Sequence, residues 1–144
     1  MRLTRRTNLA MRALMHCAVN DGRLVRKADI ARDCNSSENH MAQVINALSQ
    51  LGVLKTARGR NGGVMLARPP DQILVGQVFR QMESAVPFTE CFASTKNTCP
   101  IADCCSLRDV LCGAIEAFYS TLDKISLADL IRDNRQLHAA LALP

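Results

Sequence analysis

The segment that most narrows the fold runs from Val53 to Arg68: Val53-Leu54-Lys55-Thr56-Ala57-Arg58, then Gly59-Arg60-Asn61-Gly62-Gly63, then Val64-Met65-Leu66-Ala67-Arg68. Two short β-prone runs flank an Asn-Gly pair, which tolerates the positive backbone angles of a tight hairpin. Pro69-Pro70 closes the segment. What precedes it reads as helix. After Thr7, a capping candidate, Leu9, Ala13, Leu14, Cys17 and Ala18 recur at helical spacing until Asp21-Gly22. Residues Lys27 to Asp33 predict a second, short helix. A third opens at Asn35, Ser36 or Ser37 and runs to Leu51, with Met41, Val44, Ile45 and Leu48 on one face and Gly52 as its stop. The order helix, helix, helix, hairpin is that of a winged helix-turn-helix.

Beyond the hairpin, a short helix is expected from Ile73 to about Glu83. Residues 87–103 lose all periodicity and read as an irregular loop. A long amphipathic helix follows, with Leu107, Val110, Leu111, Ala114, Ile115, Phe118 and Leu122 in one stripe and Ser106 and Asp109 placed as a cap pair. Ser126 and Asp129 repeat that cap signature before a final short helix, Leu127 to Arg132. The stripe fits a dimerisation helix; packing back onto the chain's own head is the alternative. The expected class is mainly α with a small β-hairpin wing. Its organisation is a head at residues 1–83 with the wing at 53–68, a cysteine loop at 84–105, and a dimerisation helix with a C-terminal helix at 106–144.

Aromatic residues make up only 3% of the 144 residues, so the core is built from aliphatic side chains, which suits helices. The net charge of +5 divides unevenly, because the first 70 residues carry +8 and the remainder −3. A basic half joined to a mildly acidic one suggests that one end meets a polyanion. No apolar run reaches membrane-spanning length and the N-terminus lacks a signal-peptide core, so a cytoplasmic protein is expected. Seven cysteines in that compartment point to metal or redox chemistry before structural disulfides.

In a helix-turn-helix the second helix enters the major groove, with its first turn at the base edges. Here that turn offers Ser37, Asn39, His40 and Gln43, while Arg2, Arg5, Arg6, Arg26 and Lys27 are placed to neutralise phosphates of double-stranded DNA. Glu38 suits the helix dipole but repels phosphate. The wing brings Arg58 and Arg60 to the minor groove or its phosphates. No enzyme signature competes: His16, His40 and His138 lack metal-ligand spacing, and the glycine-rich wing lacks the Lys-Ser or Lys-Thr ending of a nucleotide loop.

Cys91, Cys99 and Cys105 stand at a C-x7-C-x5-C spacing, the third at the start of the long helix. Thiolates are soft ligands for iron-sulfur clusters or zinc. Structural zinc usually takes four ligands in close knuckles, which this loop lacks, so an iron-sulfur cluster is favoured, of the 4Fe-4S type over 2Fe-2S. Three thiolates would leave one iron open to a small molecule. Cys104, next to Cys105, could exchange with it or oxidise, and metal-free thiols are the plainer reading. Cys17, Cys34 and Cys112 read as packing residues.

These residues together resemble the Rrf2 family of bacterial iron-sulfur winged-helix regulators over essentially the whole chain. The resemblance rests on Met1-Arg2-Leu3-Thr4, Asn39-His40-Met41, Arg58-Gly59-Arg60-Asn61-Gly62-Gly63, the spaced cysteines with Leu107-Arg108, and Leu127-Ala128-Asp129-Leu130. It implies a homodimer with crossed long helices and a cluster near the partner's first helix. The Asn39-His40-Met41 run, the Leu66-Ala67-Arg68-Pro69-Pro70 run and Leu127 to Leu130 look like the nitric-oxide-sensing NsrR branch. The gap between Cys91 and Cys99, the Glu90-Cys91-Phe92 triplet and Asn8 look more like the RirA branch of iron regulators. NsrR-like proteins often carry at position 8 an Asp that reaches the partner's cluster as fourth ligand; here it is Asn8, a poor iron ligand, which leaves that site to Asn8, solvent or Cys104. The IscR branch is disfavoured, because Arg108 stands where that branch places a His. The implied function is a repressor that releases operator DNA when nitric oxide attacks its cluster. The alternatives are an iron-responsive repressor that releases DNA on cluster loss, and a cluster-free thiol switch.

Overall fold

A computed structural model describes residues 3–85, 87–93 and 97–143. The first helix, α1 (Arg5–Val19), starts earlier than its apolar spacing suggested. Thr4, and not Thr7, is its N-cap, with the Thr4 hydroxyl accepting from the Thr7 N–H at 3.2 Å. Thr7 itself is fully buried one turn inside. Helices α2 (Lys27–Asp33) and α3 (Glu38–Gln50) follow at the predicted places. Ser37 caps α3 by accepting from His40 N–H at 3.3 Å, and Gly52, at φ +68°, ends it in the left-handed region. Asn35, at φ 50°, makes the turn between α2 and α3, a conformation that asparagine adopts more readily than most residues.

Strands β1 (Leu54–Ala57) and β2 (Gly63–Leu66) form the antiparallel wing, with Leu54 opposite Leu66 and Ala57 opposite Gly63. The connection differs from the expected Asn-Gly turn. It is a five-residue loop, 58–62, whose positive φ falls on Gly59 (+106°), and Gly62 N–H donates to the Gly59 carbonyl at 2.9 Å. Gly62 is needed for a different reason: a Cβ there would run into the Ala57 carbonyl oxygen. Val25 adds a bridge that the sequence did not reveal, exchanging two 2.8 Å backbone hydrogen bonds with Val64 and so tying the wing to the segment before α2.

The core lies where α1 meets α3 and the hairpin, around Leu14, Ile30, Met41, Val44, Leu48 and Val64. Each fully buried aliphatic side chain there contributes roughly 1.5–3 kcal/mol. Helix α4 (Val75–Glu83) follows a 3-10 turn at Pro70–Gln72. It leads, through the loop and short 3-10 turns at Glu90–Phe92 and Ala102–Cys104, to α5 (Ser106–Leu122). The expected Ser106 and Asp109 cap pair does not form, because Cys105 occupies the N-cap position and Ser106 is already helical.

The C-terminal half of α5 packs on α4 through Phe79 and Phe118, and Arg80 reaches Glu116 and Asp123 at 3.1 and 3.0 Å. Its N-terminal half stands clear: Leu107 is 62% and Val110 66% exposed. The chain then returns to the head. Helix α6 (Leu127–Ile131) carries the full Ser126 and Asp129 capping box, and Leu127 is fully buried against α1. A further helix absent from the sequence reading, α7 (Arg135–Leu141), is fixed by Asn20, whose amide donates to the Leu141 carbonyl at 2.8 Å.

Candidate nucleic-acid interface and cysteine loop

Helix α3 owes its orientation to its two faces. Met41, Val44, Ile45 and Leu48 are buried, which leaves Asn39, Gln43, Asn46 and Gln50 exposed in a row on the other side. Asn39 and Gln43, two of the expected base-contacting residues, lie in this exposed row. Asn46, one turn further on, belongs to the same row and lies beyond the first turn from which the sequence reading drew its candidates. His40 is half-buried, and the Ser37 hydroxyl is engaged in the cap while its proton remains free to donate.

Glu38 is paired with Lys27 at 3.3 Å across the turn. That pair answers the sequence objection to Glu38, since its charge is met locally, and it means that a phosphate at Lys27 would compete with a carboxylate. Arg5 and Arg6 are exposed in the first turn of α1, where positive charge opposes the helix dipole; nothing in helix stability asks for them there. Arg26 is exposed ahead of α2, and Arg58 and Arg60 are exposed on the wing loop. Arg2 lies outside the described residues. Between α3 and the wing runs a groove of about 400 Å³, lined by Arg26, Lys27, Asn46, Ser49 and Thr56 with the backbone of Gly59, Gly62 and Gly63. Ala42, Ile45, Ala57 and Val64 complete a mixed lining, in which Arg26 and Lys27 supply the positive charge that suits an anionic strand.

The loop after α4 carries the other chemistry. Cys91, Cys99 and Cys105 are half-exposed, Cys104 is exposed, and all are free thiols. Among the described residues no three metal-binding side chains converge, so the three thiols sit on one loop without being gathered at a point. Polar contacts hold it together. The Glu90 carboxylate accepts from the N–H and hydroxyl of Thr98. Arg108 Nε donates to the Cys91 carbonyl at 3.3 Å, and Thr89 Oγ1 lies 3.0 Å from Cys91 Sγ. Phe88 and Phe92 meet edge to face at 6.2 Å beside it. The donor set fits an iron-sulfur cluster: three soft, accessible, uncrosslinked thiols on a segment whose described residues form only short 3-10 turns.

Of the remaining three thiols, Cys112, expected to be a packing residue, is half-exposed on α5, while the other two are of a different kind. Cys17 and Cys34 are buried, and burial, with Cys34 nearby, pushes the Cys17 thiol up to about 12. Desolvation raises Cys34 as well. Such thiols are poor nucleophiles and poor ligands. Asn8 is exposed on the second turn of α1, free to face another molecule. No helix among the described residues is long and apolar enough to cross a membrane.

The Rrf2 model, described as that of an iron-dependent transcriptional regulator, matches residues 3–133. The chain is 39% identical to the HTH-type transcriptional regulator NsrR of Geobacillus kaustophilus, over 98% of this chain and 97% of that one. It is 37% identical to NsrR of Bacillus subtilis, over 99% of each, and 38% identical to Protein aau3 of Rhizobium meliloti, over 99% of this chain and 93% of that one. Among solved structures it is similar to IscR of T. potens, with a TM-score of 0.75, 26% identity and coverage of 94% and 90%. CymR of B. subtilis shares the fold, with a TM-score of 0.70, 23% identity and coverage of 91% and 96%. The chain belongs to the Rrf2 family of transcriptional regulators and is similar to its NsrR members.

Proposed function

We propose that this regulator is a cytoplasmic homodimer that represses transcription by binding palindromic operator DNA, and that it releases the operator when nitric oxide attacks an iron-sulfur cluster on Cys91, Cys99 and Cys105. The observation that carries the reading is the combination in one chain of an exposed polar row on α3, an arginine-tipped wing and a loop of three accessible thiols. The similarity to NsrR members supports nitric oxide as the signal. When bound, the cluster would supply iron, the centre with affinity for nitric oxide.

The chain's own residues do the rest by binding. Asn39 and Gln43 present bidentate groups to base edges, and Arg5, Arg6, Arg26, Arg58 and Arg60 meet phosphates or the minor groove. The bare apolar stripe at Leu107 and Val110 is the surface for the second copy. A two-fold dimer reads two half-sites, so a small displacement of each α1 changes their spacing. The test is a mobility-shift titration of the cluster-loaded protein on its operator, with and without stoichiometric nitric oxide. Loss of binding on nitric oxide supports the reading; unchanged affinity contradicts it.

An iron-sensing reading is favoured by one residue. Asn8 is exposed where an acidic fourth ligand would help to retain the cluster, and a weakly held cluster suits loss on iron starvation. Release of DNA by mild chelation, with no comparable nitric oxide effect, would select it. Exposed Cys104 beside Cys105 gives a thiol switch its footing, which colourless protein with full operator binding would establish.

A further inference from the structure

A cleft of about 570 Å³ separates the start of α1 from the cysteine loop and α5. Four of the chain's five aromatic rings border it: Phe88, Phe92, Phe118 and Tyr119. What crosses the margin is polar. Glu83, the last residue of α4, accepts at Oε1 from the Thr4 N–H at 3.0 Å and from the Thr4 hydroxyl at 2.9 Å. Thr4 is the N-cap of α1, and its hydroxyl also lies 3.0 Å from that of fully buried Thr7. Burial works against ionisation of Glu83. The hydrogen bonds from Thr7 and from the N–H and hydroxyl of Thr4 outweigh it and hold the carboxyl below its usual range. At neutral pH these are therefore charge-assisted bonds, the strong kind.

Both ends of this clasp lead to functional segments. On one side the chain runs from Glu83 through Ser84, whose hydroxyl donates to the Gln81 carbonyl at 2.9 Å, to Thr89 beside the Cys91 sulfur. On the other side Thr4 is followed at once by Arg5 and Arg6. We infer that Glu83 is a positioning residue that couples the cysteine loop to the DNA-facing end of α1 within one subunit, through Thr4. This rests on the cluster-dependent reading of function. A shift of the loop at Cys91 moves the end of α4, and the two bonds to Thr4 carry that movement to the cap of α1, beside the apolar packing of Met82 and Val78 in the core they share with α1.

The experiment uses the full-length protein, cluster-loaded and cluster-free, on a duplex carrying the operator that the wild type selects. Three variants are compared, Glu83→Ala, Thr4→Val and Thr4→Ser, with visible absorption and Tm recorded for each. In the wild type the loaded protein binds more tightly. In Glu83→Ala and Thr4→Val the loaded-to-free affinity ratio falls about tenfold, with the visible absorption of the loaded protein unchanged, and Thr4→Ser restores the wild-type ratio. A wild-type ratio in the first two variants overturns the inference, as does loss of the visible absorption in Glu83→Ala, which would make Glu83 a determinant of cluster retention. A wild type whose affinity ignores loading overturns the cluster-dependent reading, and the coupling with it. Should Glu83→Ala fail to fold, the Thr4 pair decides.

Discussion

His16 Nε2 lies 2.9 Å from Asp33 Oδ2, so a fully buried imidazole in the last turn of α1 is bonded to the last residue of α2. Asn20, one turn further along α1, faces the other ring nitrogen at 3.4 Å and also holds the C-terminal helix. Helix α2 is thus hydrogen-bonded to α1, on which α3 packs.

Asp33→Ala removes the partner of a buried polar ring. It is expected to cost about 1–3 kcal/mol of stability, the usual penalty for orphaning such a group, read from urea or thermal unfolding. The bond also makes stability depend on pH. The hydrogen bond from His16, helped by Arg32, holds the Asp33 carboxyl below its usual range, and Glu83 is held low as well. In both cases the unfolded chain binds the proton more readily. Their contribution is therefore complete above the ordinary carboxylate pKa of about 4 and is lost as pH falls through the lower folded value. Tm should be level from neutral pH to about pH 5 and fall below about pH 4, less steeply in Asp33→Ala. An equally steep fall in the variant would contradict the assignment.

Alkylation of the metal-free protein by iodoacetamide at pH 8 should separate the thiols by place. Exposed Cys104 reacts first, the half-exposed Cys91, Cys99 and Cys105 follow, and Cys17 and Cys34 wait for denaturant. With its pKa near 12, Cys17 is a thiolate about one time in ten thousand at that pH, quite apart from its burial. Peptide mass mapping reads the order, and labelling of Cys17 in the folded protein would refute it.

Much of the head was legible because its signals are local. The buried face of α3, the Ser37 cap, Gly52 and the Ser126 and Asp129 box all lie within a turn or two of what they determine. What was not legible depends on distant partners. Thr7 and Thr4 are both threonines before an apolar run, and the carboxylate that meets the Thr4 N–H and hydroxyl, Glu83, lies 79 positions away. The bridge from Val25 to Val64 and the grip of Asn20 on Leu141 have no local pattern at all. Helix α7 carries only Leu137 and Leu141 as large apolar residues, too few to show a period. The cysteine loop announced its candidate ligands by residue type and spacing, but its described residues, which form only short 3-10 turns, leave the thiols ungathered.

Replacing Asn8 by Asp should lengthen the life of the cluster if that exposed position faces a partner's iron, because a carboxylate is a far better ligand than a neutral amide. The decay of visible absorption under a mild chelator measures it. An unchanged lifetime would show that position 8 does not face iron.

A double substitution, Leu107→Glu with Val110→Glu, puts charge on the bare half of α5. Both side chains are largely exposed within one chain, so the subunit's own fold should lose no more than about 0.5 kcal/mol. Self-association should fail. Sedimentation velocity is expected to show a monomer where the wild type is a dimer; a dimeric variant would exclude this face.

The central claim is tested most directly by the visible absorbance of protein isolated without oxygen, followed as nitric oxide is added, in the wild type and in Cys91→Ser, Cys99→Ser and Cys105→Ser. The account predicts a thiolate-to-iron band in the wild type that collapses within a few equivalents of nitric oxide and is lost or strongly reduced in each of the three variants. A wild type with no such band, even after reconstitution with iron and sulfide, would contradict it.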